Sequence, residues 1–246
     1  MSKKKSSKKE KRAKAASPGS VPSARVDVQL KKELYFPTHI YFCDVPGAGE
    51  LNVQLARGIR ALRDADPEGI VRSNVKLVGS WHSATDLNQR ADFKGLTAVL
   101  DDLVNGIYRD LAYHPDSRAV CDNMWANINP PFGYNRYHTH PNVLWSGVYY
   151  VQAAPDSGRI YFRDPREQAN AITPNFPSDK ERIRELWSEV HYEPLAGRVI
   201  IFPGWLGHEV QPNLTTLEGE AGERVSISFN YVQRTAGNQS PSKGGR

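Results

Sequence analysis

Thioether and disulfide chemistry have almost nothing to work with in this chain, which has two methionines and two cysteines among 246 residues. So few methionines exclude a thioether metal site. Cys43 and Cys121, each among apolar or strand-like neighbours, read as buried free thiols of a reducing cytosol and not as a disulfide. No run of 18 apolar residues is present, which argues against a helical membrane span. The basic start is not followed by the apolar segment of a secretory signal. A cytoplasmic protein without a membrane partner is expected.

Basic charge is scarce outside one segment. Residues 1–20 hold eight Lys and Arg against one Glu, a side-chain charge of +7, whereas the whole chain carries only +5. The remainder is therefore slightly acidic, and a nucleic-acid binder carries its charge on a folded face as well. Lys, Ser and Ala without aromatics cannot build a core, so residues 1–24 read as a disordered basic arm ending near Ser17-Pro18-Gly19-Ser20. Contact of this arm with nucleic acid would be non-specific. Residues 235–246, rich in Gly, Ser and Lys, read as a flexible tail. The stretch 25–234 between them is long enough for one sizeable core.

Within that stretch the texture changes midway. Residues 33–42 are dense in aromatics and strand-like. Leu51, Leu55, Ile59 and Leu62 form the stripe of an amphipathic helix, and Leu96, Val99, Leu100, Leu103, Val104 and Ile107 repeat the pattern. From Met124 onward come short strands, at 124–129, 143–152, 159–163, 197–202, 208–211 and 224–233, separated by Pro, Gly and Asn. Such spacing predicts a sandwich or barrel. Ser178 with Glu181 three residues on has the form of a capping box and predicts a helix over 178–190.

Two patterns carry chemistry. The first is Tyr137-His138-Thr139-His140-Pro141, followed 68 residues after His140 by His208, beyond a hydrophobic strand and a Pro203-Gly204 turn. In an extended strand His138 and His140 project from one face and could hold one ion, with His208 closing a three-point site. Imidazole suits iron, zinc, copper and nickel, and three protein ligands leave positions open for water, a co-substrate or O2. The second is Arg224-Val225-Ser226-Ile227-Ser228-Phe229-Asn230-Tyr231, in which polar and apolar residues alternate strictly. Its polar face points either to water or, if it lines the same cavity as the histidines, offers Arg224 as a planar fork for a carboxylate with the Ser226 hydroxyl beside it. Asn127 and Asn129, on one strand face with Trp125, either hydrogen-bond a ligand or serve the fold.

These residues resemble the 2-oxoglutarate/Fe(II)-dependent oxygenases of the double-stranded β-helix (jelly-roll, cupin-like) fold, most closely a bacterial and phage branch. The resemblance rests on His138–Pro141, Ser146–Tyr150, Phe162–Arg166, Phe202–His208 and Glu223–Asn230, with Gly79–Ser83 and Asp86-Leu87 upstream, and spans residues 34 to 232. It implies a mainly β barrel with flanking helices. It also implies Fe(II) held by His138, His140 and His208, with 2-oxoglutarate chelating the ion and its far carboxylate gripped by Arg224 and Ser226, and Asn127 nearby. O2 would be the oxidant, the products succinate and CO2, and the outcome hydroxylation of an unidentified small-molecule or peptide substrate. The chain departs from the wider superfamily at His140, where a carboxylate is usual. Three neutral imidazoles would leave the ion its full 2+ charge, which dianionic 2-oxoglutarate could compensate. A site of His138 and His208 alone, with His140 beside it, is the other reading.

Two different functions fit parts of the pattern. A three-histidine zinc hydrolase or hydratase fits the ligand spacing but has no use for a dicarboxylate clamp. A non-catalytic jelly-roll binding module would need neither. Of the remaining residues, His82 beside Trp81 either contacts substrate or, as a lone histidine more often does, serves as a surface or packing residue, and His39, His114 and His191 have no partner at ligand spacing. Asp164 is either a displaced carboxylate ligand or, from its place before Pro165, a turn or salt-bridge residue, and Trp205 and Leu206 read as packing at a barrel mouth.

Overall fold

The computed structural model describes residues 29–73, 76–172 and 174–235. The basic arm and all but Thr235 of the C-terminal tail lie outside the described residues. The chain divides into two compact units, residues 1–37 and 38–246. The described part of the first has neither helix nor strand, and Leu34, Tyr35 and Phe36 are exposed. The strand expected over 33–42 is confined to β1 (Tyr41–Asp44). Phe36 adopts φ 60°, off the extended region, and Pro37 has no N–H to offer a ladder.

In the second unit, β1 is followed by helix α1 (Ala48–Ala65), the short helix α2 (Gly69–Arg72), β2 (Trp81–His82) and helix α3 (Lys94–Asp110). Both long helices form where their apolar stripes lie. Leu55 and Ile59 of α1, and Leu96, Leu100, Val104 and Ile107 of α3, are almost wholly buried. Each such side chain stabilises the fold by roughly 1.5–3 kcal/mol, so the helices are held by the sheet they cover.

The strands then follow as β3 (Ser117–Asn129), β4 (Asn135–His138), β5 (Trp145–Gln152), β6 (Ile160–Arg163), β7 (Glu189–Tyr192), β8 (Arg198–Pro203), β9 (His208–Val210) and β10 (Arg224–Thr235). They make a six-stranded sheet in the order β1-β8-β5-β10-β3-β2 and a four-stranded sheet β4-β9-β6-β7, with every strand pair antiparallel. The period-2 alternation of the central strands separates two cores. Met124, Ala126, Ile128, Tyr149, Val151, Val199, Ile201, Val225, Ile227, Phe229 and Tyr231 pack with the helices. Val148, Tyr150, Ile200 and Phe202, from the opposite face, pack with Ile160 and Phe162 of the smaller sheet. Gly147 is required here, because a Cβ would stand 2.3 Å from the Phe229 ring.

The helix expected over 178–190 does not form. A single 3-10 turn at Arg184–Leu186 leads into β7. Ile183 and Leu186 are each half exposed, so a helix there would bury almost nothing, and a short helix without a buried face is marginal in water.

Candidate active site

His138 is the last residue of β4 and faces His208, the first of β9, directly across the strand pair. His140 arrives differently from expectation. The strand has ended, and the His140 N–H bonds the Gly204 carbonyl at 2.8 Å, in the turn that precedes β9. The cause is local: Pro141 cannot donate to a ladder, and Asn142 turns the chain at φ 64°. His140 nevertheless meets the other two. Ring centroids lie 4.3 Å (His138–His208), 5.0 Å (His138–His140) and 5.2 Å (His140–His208) apart. One ring nitrogen of each falls within 4.8 Å of the others.

The outer edges of the rings decide which nitrogen is available. His138 Nδ1 lies 2.6 Å from the Arg136 carbonyl and His208 Nδ1 2.9 Å from that of Leu206. A carbonyl only accepts, so these Nδ1 atoms carry the hydrogen and leave Nε2 with its lone pair. His208 is buried between the Phe202 and Phe162 rings, and the Trp125 ring stacks on His140. Burial, and then the neighbouring His138, push the His208 pKa down to about 3 and that of His140 to about 4. Both are neutral at physiological pH, the state in which imidazole binds a metal.

The histidines stand over a cavity of about 240 Å³ between the two sheets. The polar face of β10 forms its floor, so the alternation points inward and not to solvent. Cross-strand register sets the floor in rows. Tyr150, Ser226, Asn127 and His82 are neighbours in one row, Val148, Ser228 and Trp125 in the next. Asn127 Nδ2 donates to Ser228 Oγ at 3.2 Å.

Arg224, on the same face, is 1% exposed. Its Nη1 donates to the carbonyl oxygens of Ser157, Gly158 (3.3 Å) and Gln211 (3.1 Å), and its Nη2 to that of Gly133 (3.4 Å). Gly158 has φ +91°, and a Cβ there would stand 2.7 Å from Nη1, so this glycine makes room for the guanidinium. Among the described residues no carboxylate pairs with Arg224, and no Asp or Glu lines the cavity. Burial lowers its pKa to about 10, which still leaves it charged at pH 7. A buried cation without a counter-charge is costly, and an anionic ligand would relieve it.

Three lining residues, Tyr150, His82 and Arg72, were not assigned to the site from the sequence. The Tyr150 hydroxyl is wholly buried, has no hydrogen-bond partner, and burial pushes its pKa up to about 12, so it stays protonated and able to donate. Its signal was present in Ser146–Tyr150, where it alternates with Tyr149. His82 stacks on Trp125 at 5.6 Å and lines the cavity, although a surface or packing role is the commoner one for a lone histidine. Arg72, whose Nε donates to the His82 carbonyl, stands beside it. Asn129 hydrogen-bonds Asn135 and not the cavity. Asp164 is held in an ion pair with Arg166, which keeps its carboxyl below the usual range. Leu206 is buried as expected, but Trp205 is 55% exposed.

Comparison with known proteins bears on this arrangement. Residues 123–230 match the family described as "Putative 2OG-Fe(II) oxygenase", a segment that contains all three histidines and Arg224. No curated protein sequence matches the chain. A prolyl-4-hydroxylase of Pseudomonas putida superposes with TM-score 0.53 at 20% identity, covering 79% of this chain and 93% of its own. A Trichoplax adhaerens prolyl hydroxylase, solved with a hypoxia-inducible-factor peptide fragment, gives 0.52 at 14% identity, over 78% and 83%. HygX of Streptomyces hygroscopicus, solved with nickel and 2-oxoglutarate, gives 0.52 at 14% identity, over 79% and 82%. The structural likenesses establish the jelly-roll fold. The family match makes the segment 123–230 similar to 2-oxoglutarate/Fe(II) oxygenases. Among the described residues no helix is long and apolar enough to cross a membrane.

Proposed function

We propose that this chain is an Fe(II)- and 2-oxoglutarate-dependent dioxygenase that hydroxylates a small-molecule or peptide substrate, with release of succinate and CO2. The observation that carries the reading is the polarity of one cavity. Three imidazoles stand at one place and, among the described residues, a buried guanidinium without a carboxylate partner at another, with no acidic residue in the lining. A divalent ion bound there would leave the cavity strongly positive, and a dicarboxylate that reaches both sites compensates it.

The donor set fits the group. His138, His140 and His208 would hold the ion, each through the nitrogen that faces the cluster. When bound, the ferrous ion supplies the redox chemistry that couples O2 to oxidative decarboxylation of 2-oxoglutarate. Arg224 would hold the far carboxylate, the carbonyls of Ser157, Gly158 and Gln211 keeping its planar fork from rotating. Tyr150 and Ser226, adjacent in one row, would donate hydroxyl hydrogens to the same group. Asn127 lies next in that row. Trp125 and His82 would form the wall against which the substrate lies, and Phe202 and Phe162 keep water from the buried side of His208.

The test is succinate release from the full chain. Fe(II), 2-oxoglutarate and O2 without substrate are expected to give slow succinate formation that stops in His208→Ala. Independently of turnover, 2-oxoglutarate is expected to raise the thermal midpoint when Mn(II) is present and not when metal is absent. A hydrolytic activity with zinc and no succinate would replace this reading with a zinc enzyme, and a shift by 2-oxoglutarate without metal would replace it with a binding module.

A further inference from the structure

A second guanidinium lines the cavity, at the edge opposite Tyr150. The floor row runs Tyr150, Ser226, Asn127, His82 over β5, β10, β3 and β2, and Arg72 Nε donates to the His82 carbonyl at 3.2 Å. Three strand spacings, about 14 Å, separate the ends of that row. Arg224 lies on β10, two strands from β2, so the two guanidinium groups serve different places. We propose that Arg72 is a substrate-binding residue and that the substrate carries a carboxylate, held there while 2-oxoglutarate occupies Arg224. The inference rests on the metal and co-substrate reading above and deepens it by naming the substrate class.

Local structure holds Arg72 at that edge. Helix α2 packs on β2, and Gly69 is what allows it, because a Cβ there would stand 2.0 Å from Trp81 Nε1. That indole nitrogen donates to the Asp66 carbonyl at 2.8 Å, which fixes the chain just before the helix. Arg72 commits two of its five N–H groups to the protein, Nε to the His82 carbonyl and one Nη2 hydrogen to the Asp66 carboxylate. Among the described residues the others have no partner, and solvent reaches them. Charge then selects the ligand. A divalent ion and dianionic 2-oxoglutarate cancel, the lining has no Asp or Glu, and Asp66 answers Arg72 only from outside the lining. The cavity stays positive, which favours an anion. A monoanionic carboxylate matches the planar fork, whereas a phosphate dianion would be repelled by the Asp66 carboxylate already on it. The Trp125 ring stacks on His82 at 5.6 Å and on His140 at 5.9 Å, so one indole spans from the Arg72 edge to the histidine cluster. A carboxylate anchored at Arg72 therefore leaves the rest of its molecule along Trp125, toward the ion.

The experiment reads propionate binding to the full chain by saturation-transfer NMR, with Zn(II) as a redox-inert metal and 2-oxoglutarate saturating, against neutral propionamide and methylphosphonate. Wild type is expected to bind propionate and not propionamide. Arg72→Gln is expected to weaken propionate about 10–100-fold, with no change in the thermal shift that 2-oxoglutarate produces. Arg72→Lys keeps the charge without the fork and should recover part of the affinity. Asp66→Asn removes the competing carboxylate and should tighten propionate binding several-fold, an outcome that a purely structural Arg72 would not give. Absence of propionate binding in wild type, equal binding of propionamide, or equal propionate affinity in Arg72→Gln would overturn the proposal. So would weaker binding in Asp66→Asn, or a propionate signal that further 2-oxoglutarate displaces. Tighter binding of methylphosphonate would replace the carboxylate by a phosphate. Should 2-oxoglutarate fail to bind the wild type, the oxygenase reading falls by itself, and the Arg72 comparison still decides the carboxylate site.

Discussion

Replacing Arg224 by alanine separates the two demands on that side chain. In the free protein the guanidinium is 1% exposed and satisfied by backbone carbonyls, yet among the described residues its charge has no carboxylate partner. Truncation therefore orphans several carbonyl oxygens and at the same time removes a desolvated cation. These oppose each other, and the urea midpoint of the metal-free variant is expected to correspond to a change of no more than about 1–2 kcal/mol. With 2-oxoglutarate bound there is no such offset. A charge-assisted hydrogen bond contributes roughly 1.5–3 kcal/mol, and at about 1.4 kcal/mol per tenfold the dissociation constant should rise about 10–100-fold. The assay is a thermal-shift titration of 2-oxoglutarate with saturating Mn(II), which binds without turnover. Arg224→Lys should recover only part of the loss, because an ammonium lacks the planar fork that meets both oxygens. An Arg224→Ala protein that binds 2-oxoglutarate with wild-type affinity would refute the carboxylate assignment, however its activity behaved.

Three further outcomes are expected. Tyr150→Phe removes a buried hydroxyl without a partner, so the metal-free protein should gain up to about 1 kcal/mol in urea unfolding while 2-oxoglutarate affinity falls several-fold; lost stability with unchanged affinity would contradict the role given to it. Gly158→Ala places a Cβ 2.3 Å from the Gln211 carbonyl at φ +91° and should cost about 1–3 kcal/mol of stability and weaken 2-oxoglutarate binding by displacing Arg224, checked by the same two assays. The metal-free protein should lose stability on acidification. His208 and His140 have folded pKa values of about 3 and about 4, below the ordinary 6.5, so the unfolded chain binds the extra protons: their contribution is complete above pH 6.5 and is lost as pH falls toward 4 and then 3. The slope is at most about 1.4 kcal/mol per pH unit for each histidine, and urea midpoints at successive pH values should be flatter in His208→Ala.

Much of this was legible from residue order. The stripes of α1 and α3 appear because apolar residues at helical spacing must be buried, and the sheet is what buries them. His138, His140 and His208 stood out because imidazole is a common metal ligand and because a turn precedes the last of them, and the structure brings the three rings together. Tyr150 was obscured, since in a strand buried on both faces a tyrosine reads the same whether it packs with the helices, as Tyr149 does, or faces the cavity. His82 was obscured because a single histidine carries no pattern of its own. The capping-box signal at Ser178 failed for the opposite reason: local chemistry favoured a helix start, but nothing in the segment offered a buried face to sustain it.

What residue order alone determined is the chemistry available: three imidazoles, a guanidinium, hydroxyls and amides on alternating positions of β10, and almost no sulfur. Only the tertiary structure decided where that chemistry converges. Alternation defines two faces of a strand but not what covers each, and here the second sheet covers the polar one. Likewise His140 meets its partners not through strand periodicity but through a backbone bond to Gly204, a contact between distant segments that no local pattern encodes.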